Sequence, residues 1–253
     1  MDIKGKLAVV VGGASGMGRA SAEALASRGA SVAIVDRPGG EGEKIAADLG
    51  GTFHEGDITD HAGIEQVLAA AVEQLGGLHI AVNTAGGGTV AKTLGKNGPH
   101  PIEDFANVIN LNLVSTFNLN RLQALHMSHG EPDEDGERGV IINTSSIAAF
   151  EGQIGQVAYS AAKAGIAGMA LTMARDLGPQ GIRVLAIAPS LFATGAVAGL
   201  PDDMIPALVA GNAFPKRMGR PDEYAKLAVA IAENSMLNGQ CLRLDAGMRF
   251  APR

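Results

Sequence analysis

Leu7-Ala8-Val9-Val10-Val11-Gly12-Gly13-Ala14-Ser15-Gly16-Met17-Gly18 is an apolar run that breaks into a cluster of glycines. The run reads as a strand buried on both faces. The glycines permit a tight turn and let a charged group approach the backbone. Ala, Met and Leu recur at helical spacing over Gly16–Arg28, so the turn opens a helix. A helix that starts this way offers unpaired N–H groups and a positive dipole end, which suit a diphosphate. The glycine spacing is GxxxGxG rather than GxGxxG, and the absence of a following Gly-Lys-Ser/Thr excludes a P-loop. Alone, such a cluster is often just a turn, so its neighbours decide its meaning.

Outward from this stretch, strand-like runs recur at Ser31–Val35, Thr52–His54, Leu78–Val82, Val140–Asn143, Arg183–Ala188 and Cys241–Leu244. Helical patterns lie between them at Ile64–Leu75, Ile102–His129 and Tyr159–Leu177. Strict alternation implies right-handed crossovers and a parallel sheet covered on both faces. The expected fold class is α/β: a single doubly wound Rossmann-type domain over residues 1–253, with a seven-stranded parallel sheet. Ligands of such sheets sit beyond the carboxyl ends of the strands. Gly86–Pro101 and the acidic run Glu131–Gly139 read as solvated surface loops. Ser190–Pro221 reads either as a lid over a pocket or as two extra surface helices.

Composition narrows the function. A net charge of −6 over 253 residues leaves no electrostatic footprint for nucleic acid or an anionic membrane. The one cysteine, Cys241, rules out an intrachain disulfide, suits a reducing compartment and reads as inert core. His126 and His129 fall near a predicted helix end, where no metal is needed to explain them, and no Cys/His/Asp cluster has ligand spacing. With no signal, transit or spanning segment in view, the expectation is a cytoplasmic protein.

The second strand ends at Asp36, where a carboxylate can accept hydrogen bonds from both adenosine ribose hydroxyls and repel a 2′-phosphate. NAD is therefore expected over NADP, although the adjacent Arg37 could favour a phosphate and Asp36 could instead cap a turn. Gly12, Ser15, Gly16, Met17 and Gly18 are the candidate contacts of the turn. Asp57 and Ile58 would meet the adenine, and Asn83, Ala85 and Gly86 follow the fourth strand where the ribose and diphosphate would pass. Asn83 also suits a purely structural role, tying strand ends together.

Ser146 follows the fifth strand, and Tyr159 and Lys163 share one helix face a turn apart. Alcohol oxidation needs a base for the hydroxyl proton, and phenol is a poor one unless a nearby ammonium favours phenolate. Lys163 can do this, Ser146 can orient the substrate oxygen, and Tyr159 becomes the acid in reverse. Asn112 could hold a water beside Lys163. Tyr-x-x-x-Lys by itself also fits an ordinary amphipathic helix.

With these residues in place, the chain resembles the short-chain dehydrogenase/reductase superfamily over nearly its whole length. The resemblance implies diphosphate contacts at Gly12, Gly16 and Gly18, adenosine contacts at Asp36 and Asp57, and an active site of Asn112, Ser146, Tyr159 and Lys163. It also implies nicotinamide contacts at Pro189, Phe192 and Thr194. Val11 departs from the usual threonine before the turn and loses a hydrogen bond there. Val140-Ile141-Ile142-Asn143-Thr144, Ala148-Ala149-Phe150-Glu151-Gly152-Gln153, Ala174-Arg175-Asp176-Leu177, Phe214-Pro215 and Leu237-Asn238-Gly239 resemble the type II 3-hydroxyacyl-CoA dehydrogenases, also called type 10 17β-hydroxysteroid dehydrogenases. So do loop insertions near Lys92–Pro101 and Glu131–Arg138. That closer resemblance implies NAD⁺-linked oxidation of (S)-3-hydroxyacyl-CoA to 3-oxoacyl-CoA by a homotetramer, here a bacterial, cytoplasmic relative. Thr84, Ser190 and Ala193–Val209 depart from the subfamily near the pocket and leave acyl length open. Lys92, Lys96, Lys216 and Arg217 could meet CoA phosphates or be plain solvated side chains. A hydroxysteroid or other secondary alcohol remains an alternative substrate, and a catalytically silent nucleotide-binding module a remote one.

Overall fold

A computed structural model describes every residue except Gly199, Asp202 and Arg253. In it β1 (Leu7–Val11) leads to α1 (Gly16–Ser27), β2 (Ser31–Asp36), α2 (Gly42–Asp48), β3 (Thr52–Glu55), α3 (His61–Leu75) and β4 (Ile80–Asn83). A largely exposed hairpin of β5 (Leu94–Gly95) and β6 (Gly98–Pro99) precedes α4 (Ile102–Ile109), a π-helical turn (Asn110–Val114) and α5 (Ser115–Ser128). Then come β7 (Gly139–Thr144), α6 (Val157–Leu177), β8 (Ile182–Pro189), short α7 (Gly195–Ala198) and α8 (Ile205–Leu208), α9 (Pro221–Glu233) and β9 (Cys241–Leu244).

Seven strands pair in parallel in the order β3-β2-β1-β4-β7-β8-β9. This is the doubly wound α/β sheet that the alternation implies. Along β1, Ala8 and Val10 enter the core beneath α1, α2 and α9, while Val9 and Val11 enter the core beneath α3, α5 and α6. A strand whose side chains alternate between two cores must be apolar at every position, which is why the run shows no polar alternation. The chain steps from β1 outward through β2 and β3, then returns to place β4 on the other side of β1. That reversal opens a crevice at the carboxyl ends of β1 and β4.

Several elements differ from the sequence reading. α3 starts at His61 because Asp60 caps it, accepting the Gly63 N–H at 3.0 Å. α2 escaped notice because it is short and buries little more than Ile45 and Ala46. α9 was also missed, although Pro221 followed by Asp222 and Glu223 is a helix-start signature. The long helix expected over Ile102–His129 is broken by the π turn. There Ser115 Oγ donates to the Asn110 carbonyl at 2.8 Å and Asn112 Nδ2 to that of Val108 at 2.9 Å. Such bulges often mark functional sites.

The acidic loop is only partly solvated. Glu137 is buried, accepting from Arg183 Nε at 2.8 Å and from Ser235 Oγ at 2.6 Å. Arg183 also donates to the carbonyls of Ile231, Ala232 and Leu237. Sequence cannot show that the last acid of a charged run faces a buried arginine. His126 is lowered by burial and by neighbouring His129. Cys241 is half-buried and burial raises its thiol. Among the described residues no helix is long and apolar enough to cross a membrane.

Candidate active site

A cleft of about 800 Å³ occupies the crevice at the carboxyl ends of the strands. Gly12, Ser15, Gly16, Met17, Gly18, Asp36, Asp57, Ile58, Ala85, Gly86, Ser146, Tyr159, Lys163, Pro189, Phe192 and Thr194 all line it. Asn83 and Asn112 do not; both turn their side chains into the protein.

The glycine turn is shaped by contact. A Cβ on Gly18 would lie 2.1 Å from the Gly12 carbonyl oxygen, and one on Gly12, whose φ is +81°, would lie 2.6 Å from the Ala85 nitrogen. Ser15 sits at the N-cap of α1 without a side-chain cap bond, so the first N–H groups of the helix remain available to an anion. Thr84 Oγ1 lies within hydrogen-bond distance of the Val11 and Gly12 carbonyls, at 3.1 and 3.2 Å. The turn is thus tied to the residue directly after β4.

Asp36 serves the turn as well as the cleft. Its carboxylate accepts the N–H groups of Ala14 at 2.9 Å and Arg37 at 2.8 Å. The capping role is real, and it fixes the carboxylate facing the cleft. Asp57 accepts the Thr59 N–H and hydroxyl, which hold it below the ordinary carboxylate range. Asn83 Nδ2 faces the side-chain oxygens of Asn120, Gln123 and Asn143 at 2.9–3.1 Å, and Gln123 donates back at 2.7 Å. Its role is the structural one: the amide cluster fastens β4, β7 and α5 behind the cleft.

At the chemical end, Ser146 Oγ accepts the Ala148 N–H at 3.1 Å, which caps a short 3₁₀ turn and leaves its O–H free to donate. Tyr159 packs its ring beside Gly88, where a Cβ would come within 2.9 Å of the ring. Lys163 Nζ donates to the Thr144 carbonyl at 2.9 Å and lies 5.6 Å from the Tyr159 ring centroid. Burial raises the Tyr159 phenol above its usual value, and the Ser146 hydroxyl opposes that rise. The lowering expected from Lys163 is absent in this geometry, since its ammonium is turned to Thr144. Asn112 spans the Gly87 peptide, donating to its carbonyl at 2.6 Å and accepting its N–H at 3.2 Å. It fixes the loop that passes Lys163: a Cβ on Gly86 would lie 2.7 Å from Asn112 Oδ1 and 3.5 Å from Lys163 Nζ.

Burial pushes the Lys163 ammonium down from 10.5 to about 8. Below the folded value the native state carries the full cost of a buried charge; between the two values the folded lysine is already neutral, and the cost fades with rising pH until the unfolded chain deprotonates near 10.5. Lys163→Met should therefore melt above wild type at neutral pH, with the gap closing as pH rises from about 8 to 10.5. A gap that widens with pH would reverse this assignment.

The sequence reading passed over Thr144, whose carbonyl holds Lys163, and Asn107, Asn110 and Leu111, which also line the cleft. Their i, i+3, i+4 spacing was the available signal.

The family model described as short chain dehydrogenase matches residues 6–204. The 3-hydroxyacyl-CoA dehydrogenase type-2 of Bos taurus is 49% identical, the alignment covering 99% of this chain and 98% of that one. Its Drosophila melanogaster counterpart is 48% identical, with 99% and 100% covered. The crystal structure of 3-hydroxyacyl-CoA dehydrogenase type-2 from Mycobacterium avium superposes with a TM-score of 0.94 at 39% identity, covering 98% of both chains.

Proposed function

Since the chain belongs to the short-chain dehydrogenase family and is an oxidoreductase, we propose that it oxidises (S)-3-hydroxyacyl-CoA to 3-oxoacyl-CoA with NAD⁺. One observation carries this reading: the glycine turn, Asp36, Ser146, Tyr159 and Lys163 all line one cleft. Gly12, Gly16 and Gly18 leave room for a diphosphate, and the uncapped α1 start and the Asp36 carboxylate would hold the two ends of the adenosine diphosphate. When bound, the nicotinamide supplies the hydride acceptor. Ser146 orients the substrate oxygen with its free O–H. Tyr159 Oη takes the hydroxyl proton as the carbon is oxidised and returns it in the reverse direction. Lys163, released from Thr144, favours the phenolate by its charge. Pro189, Phe192 and Thr194 would wall the nicotinamide end, and Ser190, Leu191, Gly195 and Val197, which also line the cleft, would be the part of the lid region that meets the substrate.

The test is NADH formation by purified protein with (S)-3-hydroxybutyryl-CoA, beside an NADP⁺ control and CoA-free alcohols including a 17β-hydroxysteroid. Efficient thioester oxidation with NAD⁺ supports the reading. Turnover of CoA-free alcohols alone keeps the active-site roles and discards the thioester.

Two of the four basic side chains considered for CoA are engaged elsewhere. Lys216 Nζ donates to the Ala210 and Asn212 carbonyls, and Arg217 forms a two-point pair with Glu223. Lys92 and Lys96 remain exposed in the inserted loop, and Lys92 borders a second, shallower cavity beside Gln153 and Ile154. Charge reversal at either should raise KM for the thioester and leave KM for a CoA-free alcohol unchanged; equal effects on both would remove them from the site.

A homotetramer is part of the same proposal. Val114 at the end of the π turn, Phe117 and Leu125 along α5 and Leu171 on α6 leave large apolar side chains exposed for a second copy to cover. Light scattering should give four times the 25.7 kDa of one chain, and Phe117→Asp should reduce it. A cytoplasmic setting completes the reading, in keeping with a lone unpaired thiol.

A further inference from the structure

The segment between Ser146 and Tyr159 and the segment Gly211–Phe214 of the lid are both irregular. The first touches the sheet through Glu151, whose partner Arg243 lies on β9. Both are fastened to the last eight described residues of the chain, Asp245 to Pro252.

Glu151 is the centre of that fastening. Its Oε1 accepts from Arg243 Nη1 at 2.6 Å and faces Arg249 Nε at 3.5 Å, while Oε2 accepts the Phe250 N–H at 3.0 Å. Arg243 reaches Asp245 at 2.6 Å and the Met248 carbonyl at 2.9 Å, and its guanidinium lies 5.3 Å from the Phe150 ring centroid. Just beyond, the Ile154 N–H donates to the Pro252 carbonyl at 3.0 Å and Gln153 Nε2 to that of Ala251 at 3.2 Å. On the other side, the Ala213 and Phe214 N–H groups donate to the Ala246 carbonyl at 2.8 and 3.2 Å. Ala246 holds φ at +53°, a conformation that a residue with a Cβ keeps only where its surroundings impose it.

We infer that Glu151 is a positioning residue: through Arg243 and the C-terminal tail it sets the spacing between the loop leading to Tyr159 and the lid. This rests on the alcohol dehydrogenase reading for its kinetic consequence. An exposed ion pair contributes little to stability, but this one is half-buried and fixes loops whose placement decides how a substrate reaches Ser146 and Tyr159. Neither Glu151 nor its partners line the main cleft, so the cofactor side should be insensitive to it.

Glu151→Gln keeps the shape and the acceptor for Phe250 while removing the charge that gathers both arginines. Three measurements test it: steady-state kinetics with the alcohol, NADH affinity by fluorescence, and amide hydrogen exchange on the full chain. The expected result is a KM for the alcohol raised about tenfold, with kcat and NADH affinity near wild type and faster exchange at residues 153–156 and 213–214. Unchanged KM and exchange would overturn the inference. So would a parallel loss of kcat, NADH affinity and melting temperature, which would mark a general structural defect. If wild type oxidises no alcohol, the dehydrogenase reading fails by itself, and hydrogen exchange alone decides the role of Glu151.

Discussion

Tyr159→Phe is expected to lower kcat by about a thousandfold, the scale of lost general acid–base catalysis, while NADH affinity stays within a small factor of wild type. The substitution removes one oxygen and keeps the ring that packs beside Gly88 and below Lys163. Among the described residues that oxygen interacts with the Ser146 hydroxyl, whereas the contacts that fix this end of the cleft run from Lys163 to Thr144, from Ser145 to the Lys163 carbonyl and from the Ala148 N–H to Ser146. Because Tyr159 lines the cleft and its oxygen fixes no element of the fold, its loss should leave the melting temperature near that of wild type. A variant that keeps a tenth of wild-type kcat would transfer the proton step to another group. A variant that loses NADH affinity in proportion to kcat would make Tyr159 a binding residue instead.

Glu137→Ala is expected to cost about 3–5 kcal/mol of stability, the usual result of stranding one member of a buried ion pair. Arg183 and Glu137 are only 7% and 6% exposed in their side chains, and their closest approach is 2.7 Å. Removing the carboxylate leaves the guanidinium with backbone carbonyls alone and removes the acceptor of Ser235 and of the Met1 amine. Glu137→Gln should cost less, since its amide oxygen still accepts from Arg183. The cluster gathers the loop before β7, the start of β8, the end of α9 and the first residue, far from the cleft. KM and kcat of the folded fraction should therefore match wild type. Urea unfolding reads the stability, and a loss under about 1 kcal/mol would show that solvent reaches Arg183 and screens it.

These two residues mark where sequence was sufficient and where it was not. Tyr159 could be read because the chemistry is written locally: a phenol and an ammonium one helical turn apart, downstream of a strand that ends in Ser146. The strands were legible for the same kind of reason, since burial on both faces leaves an unbroken apolar run. Glu137 could not be read, because its partner lies 46 residues away and nothing local separates it from the solvated acids before it. Asn112 and Asn83 fall between. Their identities suggested polar work near the site, but only the fold shows that one spans the Gly87 peptide and the other joins an amide cluster. The π turn was invisible because a single inserted residue leaves the apolar period of the helix almost unchanged. The state of the tyrosine also needed coordinates: which acceptor Lys163 chooses is a matter of rotamer, not of spacing.

Thr84 has a consequence for how the protein comes into being. It contacts the Gly12 carbonyl from 72 positions along the chain, and the Gly12 N–H is itself held by the Val35 carbonyl. The turn beneath the first helix is therefore closed on one flank by β2 and on the other by β4. A nascent chain that has produced only the first βαβ unit holds the glycines but not the clasp. Competence to hold a nucleotide should not arise before β4 has docked, so a fragment stalled short of it would not sequester cofactor.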